Sequence, residues 1–425
     1  MKYFNIILIL ILVVACKQGN DSITDSEDYN IYLKVERPQT NSKYFQLWNS
    51  KINSDSTQLL SFGNVAGEYN RYFTTTGNIE FLKKAEQALV KAVEIANIGQ
   101  ASYARALARN YISQHRFKEA LEMAKLADSV GGGRKDTQAL FFDVHMELGN
   151  YSLAEKYLDS IKNISDFGYL IRNGKWNDFK GDLDTTIAFM EMALEKAESS
   201  KNKNLLLWSY TNLADYYGHA GRIKDSYKGY LKALALDSGN AYAKKGIAWI
   251  VFSHEKNGKE ALRILDAIAT THNTPDHHLL KAEIFDFMGN DVEKAQSLDA
   301  YFNSIQNPSY GVMYNTYTID FLLDHAKQAN PQVLDLAMLE VKNRATPESY
   351  HFLAKTYLKM GKEKEALKIV EEKINGKTFE PGILLNVAKV YKANGLYDEV
   401  NNLKNELEEA VYELGPGSKE EIEML

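Results

Sequence analysis

Hydrophobic residues recur at three- and four-residue intervals along the chain from about residue 57 onward. This spacing places apolar side chains on one face of an α-helix, whereas a half-buried β-strand would require strict alternation. The periodic stretches are interrupted at intervals by Gly or Asn, residues that commonly end helices. The pattern therefore predicts an all-α protein built from many helices of ordinary length.

A short sequence motif recurs within this helical region, and we call it the phrase. It combines a small residue, a tyrosine three residues later and, in three copies, a glycine four residues after the tyrosine. Two of its copies stand about 34 residues apart, a step typical of stacked antiparallel helix pairs. The copies are Leu107-Ala108-x-x-Tyr111, Leu213-Ala214-x-x-Tyr217, Leu353-Ala354-x-x-Tyr357 and Val387-Ala388-x-x-Tyr391.

These residues resemble the tetratricopeptide repeat (TPR). The resemblance covers roughly residues 57 to 412 and implies an all-α superhelical solenoid of about eight or nine antiparallel helix pairs. It also implies that the tyrosines of the phrase pack between helices and that a partner binds on the concave inner wall. We expect a repeat domain over residues 44–412 and a C-terminal tail over residues 413–425.

The first residues of the chain have the pattern of an export signal. An unbroken apolar run from Ile6 to Ala15 is shorter than the roughly 20 residues that span a bilayer. The segment Leu12-Val13-Val14-Ala15-Cys16 resembles the lipobox of bacterial lipoproteins, and Cys16 is the only cysteine of the chain. The resemblance implies that Cys16 carries acyl chains that hold the mature protein on its membrane. An ordinary secretory signal with an incidental cysteine is the alternative.

Domain organisation and location follow from this N-terminus. We expect residues 1–15 to be a lipoprotein signal peptide and residues 16–43 to be a polar tether, since few apolar residues follow the cysteine. Acidic residues from Asp21 onward resemble the surface-export signal of Bacteroidota lipoproteins, although they stand farther from the cysteine here. The expected location is the cell envelope, with the lipid anchor in the outer membrane and the protein on its periplasmic or outer face.

The sequence carries none of the familiar catalytic motifs. It has no His-Glu-x-x-His, no Gly-x-Ser-x-Gly, no dinucleotide fingerprint and no calcium loop, so we expect neither enzymatic activity nor a cofactor. The net charge of −6 provides no positive field for nucleic acid. The densest group of metal-ligating residues is His272, Asp276, His277 and His278, whose spacing matches no known metal frame. Solvated or helix-capping histidines are the alternative.

The repeat register assigns two sets of side chains to the inner wall, where the resemblance implies partner binding. The aromatic set would anchor a peptide or, alternatively, fill the space between units; its members are Trp208, Tyr242, Trp249 and Phe252. The basic set would hold acidic segments or, alternatively, form a solvated face; its members are Arg105, Arg109, Lys355, Lys359, Lys389 and Lys392.

Three functions are compatible with this sequence. The first is a non-enzymatic, lipid-anchored scaffold that binds another envelope protein or a peptide segment in its groove. The second is a solute- or glycan-binding lipoprotein accessory to a transporter, which clustered exposed aromatic side chains around Trp249 would favour. The third is a metal-handling envelope lipoprotein that uses His272, His277 and His278.

Overall fold

The structure, a computed structural model, describes residues 22–34, 36–53, 57–325 and 331–425. Within these ranges the regular elements are all helices, and no strand occurs. This confirms the predicted all-α, TPR-like solenoid. Cys16 and the predicted signal peptide lie outside the described residues. Among the described helices, none combines the length and the apolar character needed to cross a bilayer.

The first half of the chain forms two short helices and then five antiparallel pairs. The short helices are α1 (Ser26–Leu33) and α2 (Lys43–Asn49). The pairs are α3 (Leu59–Thr76) with α4 (Ile79–Ile95), α5 (Gln100–Ser113) with α6 (Phe117–Val130), α7 (Arg134–Glu147) with α8 (Tyr151–Ser160), α9 (Phe167–Phe179) with α10 (Leu183–Ser200), and α11 (Lys203–His219) with α12 (Ile223–Leu236).

The second half adds five more pairs and two short terminal helices, α23 (Val411–Leu414) and α24 (Ser418–Glu423). The described ranges therefore contain ten pairs, compared with the eight or nine repeats expected from the sequence. The five pairs are α13 (Ala241–Trp249) with α14 (Gly258–Ala269), α15 (Asp276–Phe287) with α16 (Asp291–Ile305), α17 (Asn315–His325) with α18 (Pro331–Asn343), α19 (Pro347–Lys359) with α20 (Glu363–Ile369), and α21 (Pro381–Ala393) with α22 (Tyr397–Glu409).

The repeated phrase explains how the four pairs that carry it close. Its alanines lie at helix crossings and are buried, which lets the two backbones approach; Ala108, Ala214 and Ala388 have no exposed surface. The tyrosine of the phrase fills the space beside them, and in two copies a following arginine covers its ring. Arg116 lies 4.3 Å from the ring centre of Tyr111, and Arg222 lies 4.0 Å from that of Tyr217.

The solenoid coils so tightly that its second superhelical turn rests on its first. The Asn273 amide donates a 3.0 Å hydrogen bond to the Thr76 carbonyl, and Lys118 donates a 2.8 Å bond to the Lys342 carbonyl. Partners across this contact stand roughly 195 to 225 residues apart, or about six repeats of 34. In an ordinary solenoid each repeat contacts only its neighbours. Here the repeats of one turn also contact repeats of the next turn.

The segment Ser22–Leu33 falls within the expected polar tether but docks against α12 and α14. Asp25 caps α1 by accepting a 2.9 Å hydrogen bond from the Glu27 amide. Tyr29 is only 2% exposed, and its hydroxyl donates to Glu260 over 2.7 Å. Thr24 adds two hydrogen bonds to Glu255, so residues 22–33 are held against the repeats by several contacts. The predicted domain boundaries, including the tether over residues 16–43, stay predictions.

Candidate functional site

Helix α13 presents one polar and aromatic face to the inner wall. Its N-cap residue is Asn240, whose side chain accepts a 2.9 Å hydrogen bond from the Ala243 amide. Ala243, Ile247 and Ala248 are at most 1% exposed, so the opposite face of α13 belongs to the core. Since residues three, four and seven apart share a helix face, the side chains turned inward are Tyr242, Lys245 and Trp249.

A cavity of about 720 Å³ lies beside this face, and we call it the Tyr242 cavity. Its lining comes from segments that are distant in sequence, because the end of α3 here meets the second superhelical turn. The lining includes Thr74 and Thr75 of α3, Asp215 of α11, Tyr230 of α12, Tyr242, Lys245 and Trp249 of α13, and His272, Asp276 and His277 at the start of α15.

Asp215 is the central carboxylate of the Tyr242 cavity. Its Oδ2 accepts a 2.6 Å hydrogen bond from the Tyr242 hydroxyl, and its Oδ1 accepts one from Tyr230. Burial raises the pKa of Asp215 above its usual value, although the two tyrosine hydroxyls oppose that rise. Burial also raises the pKa of both tyrosines, followed in size by repulsion from Asp215, so they remain protonated donors at neutral pH.

A second carboxylate of the cavity is already neutralised. The Nζ of Lys245 lies 2.5 Å from Oδ2 of Asp276. Burial alone would raise the pKa of Asp276, but the Lys245 ammonium outweighs burial and holds this pKa well below its usual range. The two side chains therefore form a fixed ion pair on the cavity wall.

The three candidate metal ligands do not converge. The rings of His272 and His277 are 5.5 Å apart between centroids and both line the Tyr242 cavity, but His278 does not. Burial lowers the pKa of His277 to about 4 and also lowers that of His272, so both rings are neutral at pH 7. Within the described ranges, no group of three or more His, Cys, Asp or Glu side chains is placed to hold a metal ion.

A second cavity of about 800 Å³ borders the first. The two share the lining residues Lys245, Trp249, Asp276 and Leu280, so together they form one trough, which we call the inner groove. The second cavity extends toward α17, α19 and the C-terminal segment. The side chains it adds include Lys294, Tyr317, Lys359 and Glu421.

The C-terminal segment lies along this wall. The carbonyl of Tyr412 accepts a 3.1 Å hydrogen bond from Nε1 of Trp249 and a 2.6 Å bond from the Ser253 hydroxyl. Gly218 leaves room for the Tyr412 ring, since a Cβ there would stand 2.8 Å from a ring carbon. Farther along, Ile422 is 1% exposed in a cluster with Leu385 and Leu407.

Several predicted inner-wall residues make contacts within the protein. Arg105 is buried and donates to the Gly132 carbonyl over 2.9 Å, so it stabilises the glycine turn between α6 and α7. Lys355 forms a 2.7 Å ion pair with Asp320, and Lys389 a 2.8 Å pair with Glu421. Lys392 donates to the Met424 carbonyl.

Phe252 has no exposed surface, which differs from the predicted register. Residues Ile250–His254 form a π-helical turn that continues α13. Such a turn holds more residues than an α-helical one and rotates the side chains that follow. Phe252 therefore faces the core, with its ring 5.6 Å from that of Phe287.

The structure brings together only part of the predicted set. Tyr242 is 56% exposed, and it shares the inner groove with Trp249 and Lys359. Trp208 is 37% exposed but lies elsewhere on α11 against Phe167, and Arg109 is exposed on α5. Sequence reasoning missed three lining residues that neighbouring helix pairs bring together: Asp215, Tyr230 and Lys245.

Comparison with known proteins adds little about function. No protein-family model matches the chain, and no curated protein matches it. Among solved structures, the chain is similar to a signal transduction ATPase with numerous domains that carries a TPR sensor, from Pyrococcus horikoshii. Identity is 14% over 90% of this chain and 55% of that one, with a TM-score of 0.38. At that level the similarity carries no argument, and the fold assignment rests on the helix pairs themselves.

Proposed function

We propose that this protein is a non-enzymatic, lipid-anchored scaffold of the bacterial cell envelope whose inner groove binds an extended segment of another envelope protein. The supporting observation is that the wall beside the groove already holds a peptide segment of the same chain. Trp249 and Ser253 donate to the Tyr412 carbonyl, and Lys392 donates to the Met424 carbonyl.

These contacts engage backbone oxygens in the short helix α23 and at the C-cap of the short helix α24, which gives an example of this wall holding a main chain. Hydrogen bonds to a main chain provide affinity for many sequences, while neighbouring pockets select side chains. The second cavity offers such a pocket beside Lys359, with Tyr317 47% exposed at its edge. A partner segment that continues from the Tyr412 end of the wall would thus cover the ring of Tyr317 and contact the Lys359 ammonium.

Cross-linking in intact cells, followed by purification from detergent-solubilised membranes, tests this function. The test variant is Lys359→Glu in the groove, and the matched control is Lys368→Glu, whose side chain is 73% exposed on α20. We expect one specific envelope protein to be recovered with wild type and control, and at least about tenfold less of it with Lys359→Glu. Equal recovery from all three proteins would contradict groove binding.

A second candidate function, a solute-binding lipoprotein accessory to a transporter, is favoured by the Tyr242 cavity. Its volume of about 720 Å³ falls within the range of roughly 300 to 1,000 Å³ typical of small-molecule sites. Aromatic side chains and a few placed polar groups line it, as in such sites. A thermal-shift screen with sugars and small amines tests this function: we expect at least one compound to raise the melting temperature of wild type but not of Tyr242→Ala.

A further inference from the structure

The lining of the Tyr242 cavity carries an excess of negative charge. Its carboxylates are Glu36, Asp215, Asp237 and Asp276, whereas Lys245 is the only Lys or Arg among the described residues that line it. His272 and His277 add no charge at neutral pH, because burial lowers the pKa of both rings. A carboxylate in such a site favours a cationic ligand and disfavours an anionic one.

Asp215 has remaining capacity to accept hydrogen bonds. Each of its two oxygens accepts one tyrosine hydroxyl, and a carboxylate oxygen has two lone pairs. The Lys245 ammonium is bound to Asp276 instead. Within the cavity lining, the charge of Asp215 is therefore stabilised by neutral donors, and a ligand cation would complete its environment.

Aromatic rings surround this carboxylate. Tyr230 and Tyr242 donate to it, and Trp249 lies about two helical turns beyond Tyr242 on the same face of α13. Gly246 lies against the Tyr230 ring so closely that a Cβ would not fit, which fixes the ring at the cavity wall. The faces of tyrosine and tryptophan rings attract ammonium groups, most strongly where water is displaced.

Two buried histidine nitrogens beside the cavity also lack hydrogen-bond partners among the described residues. The Nδ1 atoms of His272 and His277 are buried and lack a hydrogen-bond partner among the described residues, and His277 is only 3% exposed. Unpaired buried polar atoms are rare in native proteins and commonly mark a place where a bound molecule or water completes the network. Because both nitrogens are buried, a ligand reaches them only after a local shift of the rings, and the preference for a cation comes from Asp215.

We infer that the Tyr242 cavity binds a small organic ammonium compound, with its charge beside Asp215 and its carbon skeleton against Tyr230, Tyr242 and Trp249. The inference rests on the second candidate function, solute binding, and specifies its ligand class. The ammonium group supplies the missing positive charge, and the apolar part displaces water from the aromatic wall.

Calorimetric titration of the intact protein tests this inference. The probes are choline, phenethylamine and putrescine, and 3,3-dimethylbutan-1-ol serves as an uncharged compound with the shape of choline. We expect at least one ammonium probe to bind with a Kd below about 1 mM. If choline is that probe, the uncharged alcohol should bind at least about tenfold more weakly.

Variants assign the binding to the proposed groups. Asp215→Asn keeps the size of the side chain and should weaken ammonium binding at least about tenfold, whereas the surface control Asp225→Asn should not change it. Tyr242→Ala should weaken binding similarly, and Tyr242→Phe, which keeps the ring, should retain most of the affinity. Circular dichroism and melting temperature establish that each variant is folded.

The outcomes separate the ligand class from the function. Tight binding of a neutral sugar with no ammonium binding would overturn the cation inference and leave solute binding intact. Failure of every compound in both the titration and the thermal-shift screen would overturn both. Unchanged affinity in folded Asp215→Asn would also overturn the inference. The capture experiment with Lys359→Glu tests the scaffold function independently, because Lys359 does not line this cavity.

Discussion

Arg344 and Glu147 connect the two superhelical turns: Nη1 of Arg344 lies 3.2 Å from Oε2 of Glu147. The same carboxylate accepts a 2.8 Å bond from Lys175 on its own turn. The guanidinium of Arg344 also stands 5.6 Å from the ring centre of Phe117. Although burial opposes it, these two cations lower the pKa of Glu147. The ion pair is therefore part of the contact that holds one turn on the other.

We expect Glu147→Gln to lower the free energy of unfolding by about 1–3 kcal/mol, because two partly buried cations lose their counter-charge. Urea denaturation at pH 7 measures this. The control Glu122→Gln breaks a pair with Lys125 in which both side chains are more than half exposed, and should cost less than about 0.5 kcal/mol.

The pH dependence provides a further check on Glu147. A depressed carboxyl pKa contributes stability above the unfolded-state value of 4.5, and this contribution is lost as the pH falls through the folded-state value. The difference between wild type and Glu147→Gln should therefore shrink as the pH is lowered below 4.5. Equal stability of the two proteins at pH 7 would contradict the assigned role.

Gly149 provides a second test of the contact between turns. Its φ of +74° favours glycine, and a Cβ there would stand 2.8 Å from the Ala345 carbonyl oxygen. Gly221 has a similar φ of +70°, but a Cβ there would meet nothing within 4 Å. Both alanine substitutions bear the backbone strain of about 1–2 kcal/mol, and only Gly149→Ala adds a clash of about 1–3 kcal/mol. Equal melting temperatures for the two variants would argue against close packing between the turns.

The sequence predicts the helices and their pairing, because these depend on the spacing of residues that are close together in the chain. The phrase around Ala214 and Tyr217 identifies helix pairs because both residues pack within one or two repeats. The contact of Gly149 with Ala345 joins residues roughly 195 positions apart and leaves no periodic signal. Consequently the sequence predicts Tyr242 and Trp249 on the inner wall, but it does not predict that Thr74 and Thr75 of the other turn complete the Tyr242 cavity. The predicted position of Phe252 on the inner wall is wrong for a different reason. The π-helical turn Ile250–His254 rotates its side chain into the core.

Docking of the N-terminal segment depends on Tyr29. We expect Tyr29→Ala to release residues 22–33, because a side chain that is 2% exposed loses its buried area and its bond to Glu260. Limited trypsin digestion should then cut faster after Lys34, which directly follows the released segment, while the repeats stay resistant. Tyr29→Phe keeps the ring and should be cut at nearly the wild-type rate. Unchanged cleavage of Tyr29→Ala would show that other contacts hold the segment.

Lipidation of Cys16 is a prediction from sequence alone. Cells expressing the full chain and supplied with an alkyne fatty acid should label the wild type, and the protein should fractionate with membranes. Cys16→Ala should lose the label and the membrane association, because two or more acyl chains are needed for stable anchoring. Ser22→Ala, six residues after Cys16, serves as the control and should keep the label and the membrane association. Export of an unlabelled, soluble wild-type protein would instead support an ordinary secretory signal.

Several carboxylates meet where the turns touch near Glu380, and they predict a second pH effect of opposite sign. Desolvation by surrounding protein, followed by repulsion from Glu413 and Asp178, raises the pKa of Glu380 to about 7. His219 and Glu348 line the same cleft. The folded state therefore binds more protons than the unfolded state between pH 4.5 and about 7, so stability falls as the pH rises through that window.

Glu380→Gln mimics the protonated carboxyl and should remove this loss. We expect its melting temperature to exceed that of wild type at pH 8 and to approach it at pH 5. The difference should be small, because solvent still reaches Glu380 and screens the repulsion. Glu372→Gln, at a side chain that is 53% exposed, should show no such pH-dependent difference. If Glu380→Gln and wild type have the same melting temperature at pH 8, the carboxylates at this contact do not repel enough to affect the packing of the two turns.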